Sequence, residues 1–247
     1  MIDFFKWFPA TCYVYSSMFV WTVLYCIVML PVFLVAKLLG KADQKFLLQV
    51  IAWYGRLIVR VAIFPVVRVQ YEEQIDYTRK PAGIFIFNHR SGSDPFLMAL
   101  IKRQSLVQVV NGWPMRLPFW GFFARKAGYI DVTKMEHTEL RDYIRELLGR
   151  GIGIIAFPEG TRSGSKEMNP FRSGIFHVAH ELNAPLYPGC IVGNEKIPDR
   201  KFRFHAGKII VRMLPPVMPS PEKNAFVLKK KIHKLIYDET KKMEAAA

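Results

Sequence analysis

Between Lys6 and Lys37 no residue is charged, and the 30 positions between them read WFPATCYVYSSMFVWTVLYCIVMLPVFLVA. A bilayer core takes roughly 20 helical residues, so this run is longer than one span requires. Pro31 predicts a kink or a stop near its far end. The run is too long for a secretory leader, and no small-residue cleavage pattern follows it. A second apolar stretch, Phe46 to Val67, carries Arg56 and Arg60 one helical turn apart. An arginine at mid-bilayer costs about 2.5–3.5 kcal/mol, which disfavours a second span. The stretch then reads as an amphipathic helix at the membrane interface, with Trp53 and Tyr54 at headgroup level, or else as a helix of the core. Lys37, Lys41 and Lys45 follow the first run while Lys6 precedes it, which places the rest of the chain on the cytoplasmic side of the cell membrane.

From residue 68 onward the periodicity changes, and short β-rich runs alternate with helical ones. The pattern predicts strands over 67–71, 83–87, 106–110, 128–132, 153–157, 185–192 and 207–214. It predicts helices over 95–104, 115–126, 135–149, 171–182 and 222–242. Such alternation specifies an α/β fold with a mixed, largely parallel sheet flanked by helices, here preceded by an N-terminal hydrophobic helical membrane anchor. The division that follows is 1–67 for anchoring helices and 68–247 for the α/β domain.

Composition adds one thing. The 35 basic and 20 acidic residues leave a net charge of +15, which attracts an anionic partner: nucleic acid, a membrane surface, an acidic carrier or an acidic substrate. No nucleic-acid motif is present, and the aromatic residues concentrate near the membrane segment. The three cysteines, Cys12, Cys26 and Cys190, have neither metal-ligand nor disulfide spacing and read as buried free thiols.

Chemistry in α/β sheets gathers outside the carboxyl ends of strands. Two polar corners sit at such ends. In the first, NHRSGSDP, Asp94 and Pro95 make a helix start, with Asp94 as the cap. Read alone, the corner needs no other explanation. The same residues could also form a base, His89, oriented by a carboxylate, Asp94. No G-x-S-x-G elbow occurs, which weakens a serine hydrolase and leaves direct activation of a substrate hydroxyl. The second corner, FPEGTRS, places a carboxylate, a glycine, a hydroxyl and a guanidinium at Glu159, Gly160, Thr161 and Arg162. It is either a polar turn or an anion site, and Arg172 lies near the next helix start.

Taken together these blocks resemble the glycerolipid acyltransferases, and most closely their lysophosphatidic acid (1-acylglycerol-3-phosphate) group. The first block, N-H-x-S-x-x-D, is complete at Asn88–Asp94. The third, F-P-E-G-T-R-S, is present letter for letter at Phe157–Ser163, and a P-x-x-P strand matches Pro185–Pro188. The second block departs: Lys134 stands where arginine is usual and Asn111 where a lysine is common, both at the acceptor's phosphate end. The resemblance implies transfer of an acyl group from acyl-CoA or acidic acyl-carrier protein to a lipid hydroxyl, in phospholipid biosynthesis. It implies His89 and Asp94 as catalytic residues. Glu159, Gly160, Thr161, Arg162, Lys134 and Arg172 would hold substrate and phosphate. It implies no metal and no cofactor. The bilayer and a lysophospholipid acceptor are the expected partners, with phosphatidic acid as the expected product; another lysophospholipid or a lyso-aminolipid is the alternative acceptor. A lipid- or carrier-binding module without catalysis is the remaining possibility, and a binding module needs no base.

Overall fold

The computed structural model describes residues 2–73, 75–103, 105–116 and 118–246, and the side chains of all of these but 2–6, 118 and 119. Gln104, at the end of one expected helix, and Leu117, within another, lie outside the described residues.

Seven strands form one sheet. They are β1 (Val67–Glu72), β2 (Ile84–Phe87), β3 (Leu106–Val110), β4 (Ile130–Asp131), β5 (Gly153–Ala156), β6 (Leu186–Val192) and β7 (Gly207–Met213). Their order is β1-β7-β6-β2-β5-β3-β4. Every neighbouring pair is parallel except β6 with β7. The helices are α1 (Ile2–Leu38), α2 (Gln44–Leu57), α3 (Asp94–Leu97), α4 (Pro118–Lys126), α5 (His137–Gly149), α6 (Gly174–Glu181) and α7 (Ala225–Ala245).

The strand sequences are apolar without alternation because both faces of the sheet are covered. Ile84 and Ile86 of β2 pack into one cluster with Ile144 of α5, Phe176 of α6 and Ile232 of α7. Phe85 and Phe87 point the other way, into a cluster with Val14 of α1, Tyr54 of α2 and Leu97 of α3. The second apolar stretch therefore completes the core with one side while Trp53 stays exposed on the other. Arg56 is no surface charge: it donates to the carbonyls of Ala99 and Ile101 at 2.8 and 3.2 Å.

Several expectations are corrected. Helix α1 runs through Pro31 to Leu38. Contacts on both sides of the proline hold it to α2: Tyr25 Oη donates to the Val50 carbonyl at 2.6 Å, and the Phe33 and Phe46 rings lie 6.4 Å apart. The helix expected over 95–104 is four residues of α3 and one 3-10 turn, because Arg56 draws off the carbonyls that would continue it. The strand expected over 128–132 pairs only at Ile130–Asp131, where the Asp131 carboxylate turns the chain by accepting from the N–H groups of Thr133 and Gly112. Cys190 is buried, but Cys12 and Cys26 are exposed on α1; all three are free.

Candidate active site

Strand β2 lies between β6 and β5 and parallel to both, so the loops leaving their carboxyl ends meet at one edge. His89 follows β2 by two residues, Glu159 follows β5 by three, and Asn194 follows β6 by two. The loop after β2 is anchored first by Asn88, whose side chain exchanges two hydrogen bonds with the backbone of Ile191 in β6, at 2.9 and 2.8 Å.

His89 Nδ1 lies 2.7 Å from Asp94 Oδ2. Asp94 is 0% exposed, and its carboxylate does not cap its own helix as its sequence context suggests. Oδ2 turns back to accept from the N–H groups of Arg90 and Ser91 at 2.7 and 3.0 Å, and Oδ1 accepts from the amide of Asn194. This many donors around a buried carboxylate hold it still. Its oxygen favours the His89 tautomer with the proton on Nδ1, which would leave the Nε2 lone pair free to take a proton. The His89 ring lies over Phe157 with centroids 4.7 Å apart.

Glu159 is 4% exposed and does not reach the cleft. Its two oxygens accept from the N–H groups of His89 at 2.7 Å and Asn169 at 2.8 Å. Burial pushes its carboxyl up to about 7, against the lowering effect of those two bonds. Two further bonds tie the loops together: the N–H of Ser163 to the His89 carbonyl, 2.8 Å, and the N–H of Gly164 to the Arg90 carbonyl, 3.1 Å. Arg90 is buried and braced by Glu195, Glu244 and the Lys166 carbonyl at 2.5, 2.6 and 2.9 Å. Ser91 is buried with its hydroxyl toward the carbonyls of Ile197 and Pro198, so it is a tie and not a nucleophile.

A cleft of about 2060 Å³ opens over His89, with Gly160, Thr161 and Arg162 in its wall and apolar side chains of α1 and α2 along its length. Arg162, Arg172 and Arg200 all face it, and among the described residues none of the three is ion-paired with a carboxylate. Arg162 lies 5.7 Å from the centre of the Phe202 ring; Arg200 donates to the Ser163 carbonyl at 2.6 Å. Gly160, at φ +73°, lets Arg172 pass where a Cβ would stand 2.5 Å from its Nε. Arg172 belongs to the loop, its N–H given to the Pro158 carbonyl at 2.8 Å, and α6 starts two residues later. Lys134 is exposed and lines no part of the cleft, whereas Asn111 does line it.

The arrangement thus brings together His89, Asp94, Gly160, Thr161, Arg162 and Arg172, and leaves Lys134 aside. Asn194 and Arg200 were not singled out from sequence. Their signal was the position of Asn194 at a strand's carboxyl end and the density of basic residues in the loop after it. Among the described residues no group of three or more His, Cys, Asp or Glu side chains stands where it could hold a metal ion.

A base oriented by a buried carboxylate, beside a cleft lined by apolar side chains and by arginines, suits attack by a lipid hydroxyl on an activated acyl group. Comparison with known proteins agrees. A family model described as Acyltransferase matches residues 66–192. The 1-acyl-sn-glycerol-3-phosphate acyltransferase of Escherichia coli (strain K12) is 30% identical over 172 residues, covering 68% of this chain and 69% of that protein. Its counterpart from Salmonella typhimurium is 29% identical over 171 residues, with the same coverage. The crystal structure of the 1-acyl-sn-glycerophosphate (LPA) acyltransferase from Thermotoga maritima superimposes with a TM-score of 0.82 over 99% of this chain and 98% of that one, at 22% identity, a likeness of fold. With the family model spanning β1 to β6, and His89, Asp94, Gly160, Thr161, Arg162 and Arg172 all within it, the chain belongs to the acyltransferase family.

Proposed function

We propose that the protein transfers a fatty acyl group from an acyl thioester to the free sn-2 hydroxyl of lysophosphatidic acid, giving phosphatidic acid. The observation that carries this reading is the His89–Asp94 pair beside a cleft that Arg162, Arg172 and Arg200 also line, none of the three ion-paired among the described residues. The names of the relatives matched in sequence support the acceptor.

In this reading the acceptor's phosphate meets Arg162, and its hydroxyl meets His89 Nε2. The base takes the hydroxyl proton as the oxygen attacks the thioester carbonyl. Collapse of the tetrahedral intermediate breaks the carbon–sulfur bond, and the imidazolium returns its proton to the leaving thiolate. The buried Asp94 carboxylate stabilises the imidazolium between the two transfers. Glu159 and Asn194 hold the pair in register. The thioester comes from acyl-CoA or an acidic acyl-carrier protein, and either suits a chain of net charge +15.

Helix α1 supports membrane attachment. Its stretch Trp7–Leu38 is long and apolar enough to cross a bilayer. Yet Tyr13, Tyr25 and Phe33 tie it to the second apolar stretch along its length, while Phe19, Ile27 and Val28 face outward. We therefore read α1 and α2 as a hairpin sunk into one leaflet of the cell membrane, with the sheet on the cytoplasmic face.

A second acceptor keeps a specific argument: Asn111 puts a neutral amide in the cleft where the family commonly has a lysine. The test is one assay. Purified protein is given acyl-CoA or acyl-carrier protein with lysophosphatidic acid and other lyso-lipids, alongside His89→Ala. Acylation of lysophosphatidic acid above all others, lost in the variant, is expected. Equal rates for variant and natural protein would overturn the mechanism; preference for another acceptor would overturn the substrate.

A further inference from the structure

The catalytic domain carries a second apolar and basic surface, next to the hairpin but not part of it. Residues 111–128 contain Arg116, Arg125 and Lys126 and no acidic residue. Helix α4 in this segment runs alongside α2. The Trp120 ring lies 5.3 Å from that of Tyr54 at one end, and the Gln44 side chain donates to the Ala127 carbonyl at 3.0 Å at the other. While Trp120 faces inward to Tyr54 and Phe96, its neighbours turn away: Phe122 is 50% exposed and Trp113 is 59% exposed. On the hairpin, Leu38 and Leu39 are exposed and Lys37 and Lys41 supply charge.

Large aromatic side chains left in water beside unpaired cations are costly for a soluble surface and suited to a headgroup layer. The cleft supplies a second, independent observation. Its wall includes Phe33 and Lys37 of α1 together with Trp113, Phe122 and Lys126.

We propose that Trp113, Arg116, Phe122, Arg125 and Lys126 make a second membrane-docking surface, whose partner is a bilayer surface containing anionic phospholipid. The proposal rests on the reading of α1 and α2 as the membrane hairpin. It extends that reading to the domain that bears His89.

The full-length protein is prepared with Trp113 as its only tryptophan, and separately with Trp53 of α2 as its only one, the others changed to phenylalanine. Each is reconstituted in vesicles of phosphatidylcholine and phosphatidylglycerol carrying brominated acyl chains. Quenching of both tryptophans by the bromines is expected. Quenching of Trp53 with Trp113 unquenched and open to aqueous acrylamide would overturn this proposal alone. If neither is quenched, the hairpin reading falls and takes this one with it. A milder variant, Arg116→Glu, lies outside the cleft lining. It should raise the apparent KM for lipid acceptor on anionic vesicles by at least about fivefold while leaving activity in neutral detergent micelles unchanged. Equal behaviour of variant and natural protein on vesicles would overturn the proposal.

Discussion

The backbone N–H of His89 is held at 2.7 Å by the carboxylate of Glu159, a residue 70 positions further along the chain and buried away from the cleft. The most acidic-looking member of the FPEGTRS block is thus a strut beneath the base. Its oxygens join the loop after β2 to the loop after β5, and burial holds its carboxyl at about 7.

That elevated value has a thermodynamic sign. Folded-state Glu159 binds its proton more tightly than an unfolded glutamate at about 4.5, so the folded state carries more protons between these values. Its contribution to stability is fully present below about 4.5 and is lost as pH rises through about 7. Glu159→Gln should flatten that slope, which is at most about 1.4 kcal/mol per pH unit, in denaturant titrations between pH 5 and 8. An unchanged slope would contradict the burial argument.

Asn194 is 0% exposed and gives its amide to Asp94 Oδ1. Asn194→Ala should lower kcat about tenfold and leave KM unchanged, the size expected for one hydrogen bond to a buried charge. Asn194→Asp should do worse as pH rises from 6 to 9, because a second carboxylate ionises against the first. Steady-state kinetics at the two pH values decide it, and a loss confined to KM would place Asn194 in substrate binding.

Arg162 faces the cleft unpaired, its guanidinium beside Phe202. Arg162→Lys keeps the charge and removes the planar fork, so KM for a phosphate-bearing acceptor should rise about tenfold with a smaller change in kcat. An acceptor without phosphate should show no such rise.

Gly55 lets α2 sit against the segment that carries Asp94. A Cβ there would stand 2.5 Å from the Ala99 Cβ. Gly55→Ala gains about 1 kcal/mol in helix propensity, but overpacking costs about 1–3 kcal/mol, so the melting temperature in detergent should fall. Ala99→Gly in the same chain should restore it. Recovery would identify the close approach as the cause.

The chain's own order of residues determined much of this protein. The uncharged run from Trp7 to Ala36 specifies a long apolar helix, and all seven strands lie where apolar runs predict them. Both are local: hydrophobic periodicity and turn chemistry act within a few residues. The His89–Asp94 pair was legible for the same reason, since five positions and a tight loop suffice to bring them together. The rest was decided by the strand order β6-β2-β5, which no local pattern encodes. It brings Asn194 and Glu159 to one loop, from 100 and 70 residues away. It turns Asp94 from a helix cap into a carboxylate that accepts from the loop preceding it. It leaves Lys134 outside the cleft and lets Arg200 in. The physical reason is that a buried polar group must find its partners wherever the packed sheet puts them, and that choice is made by the whole fold.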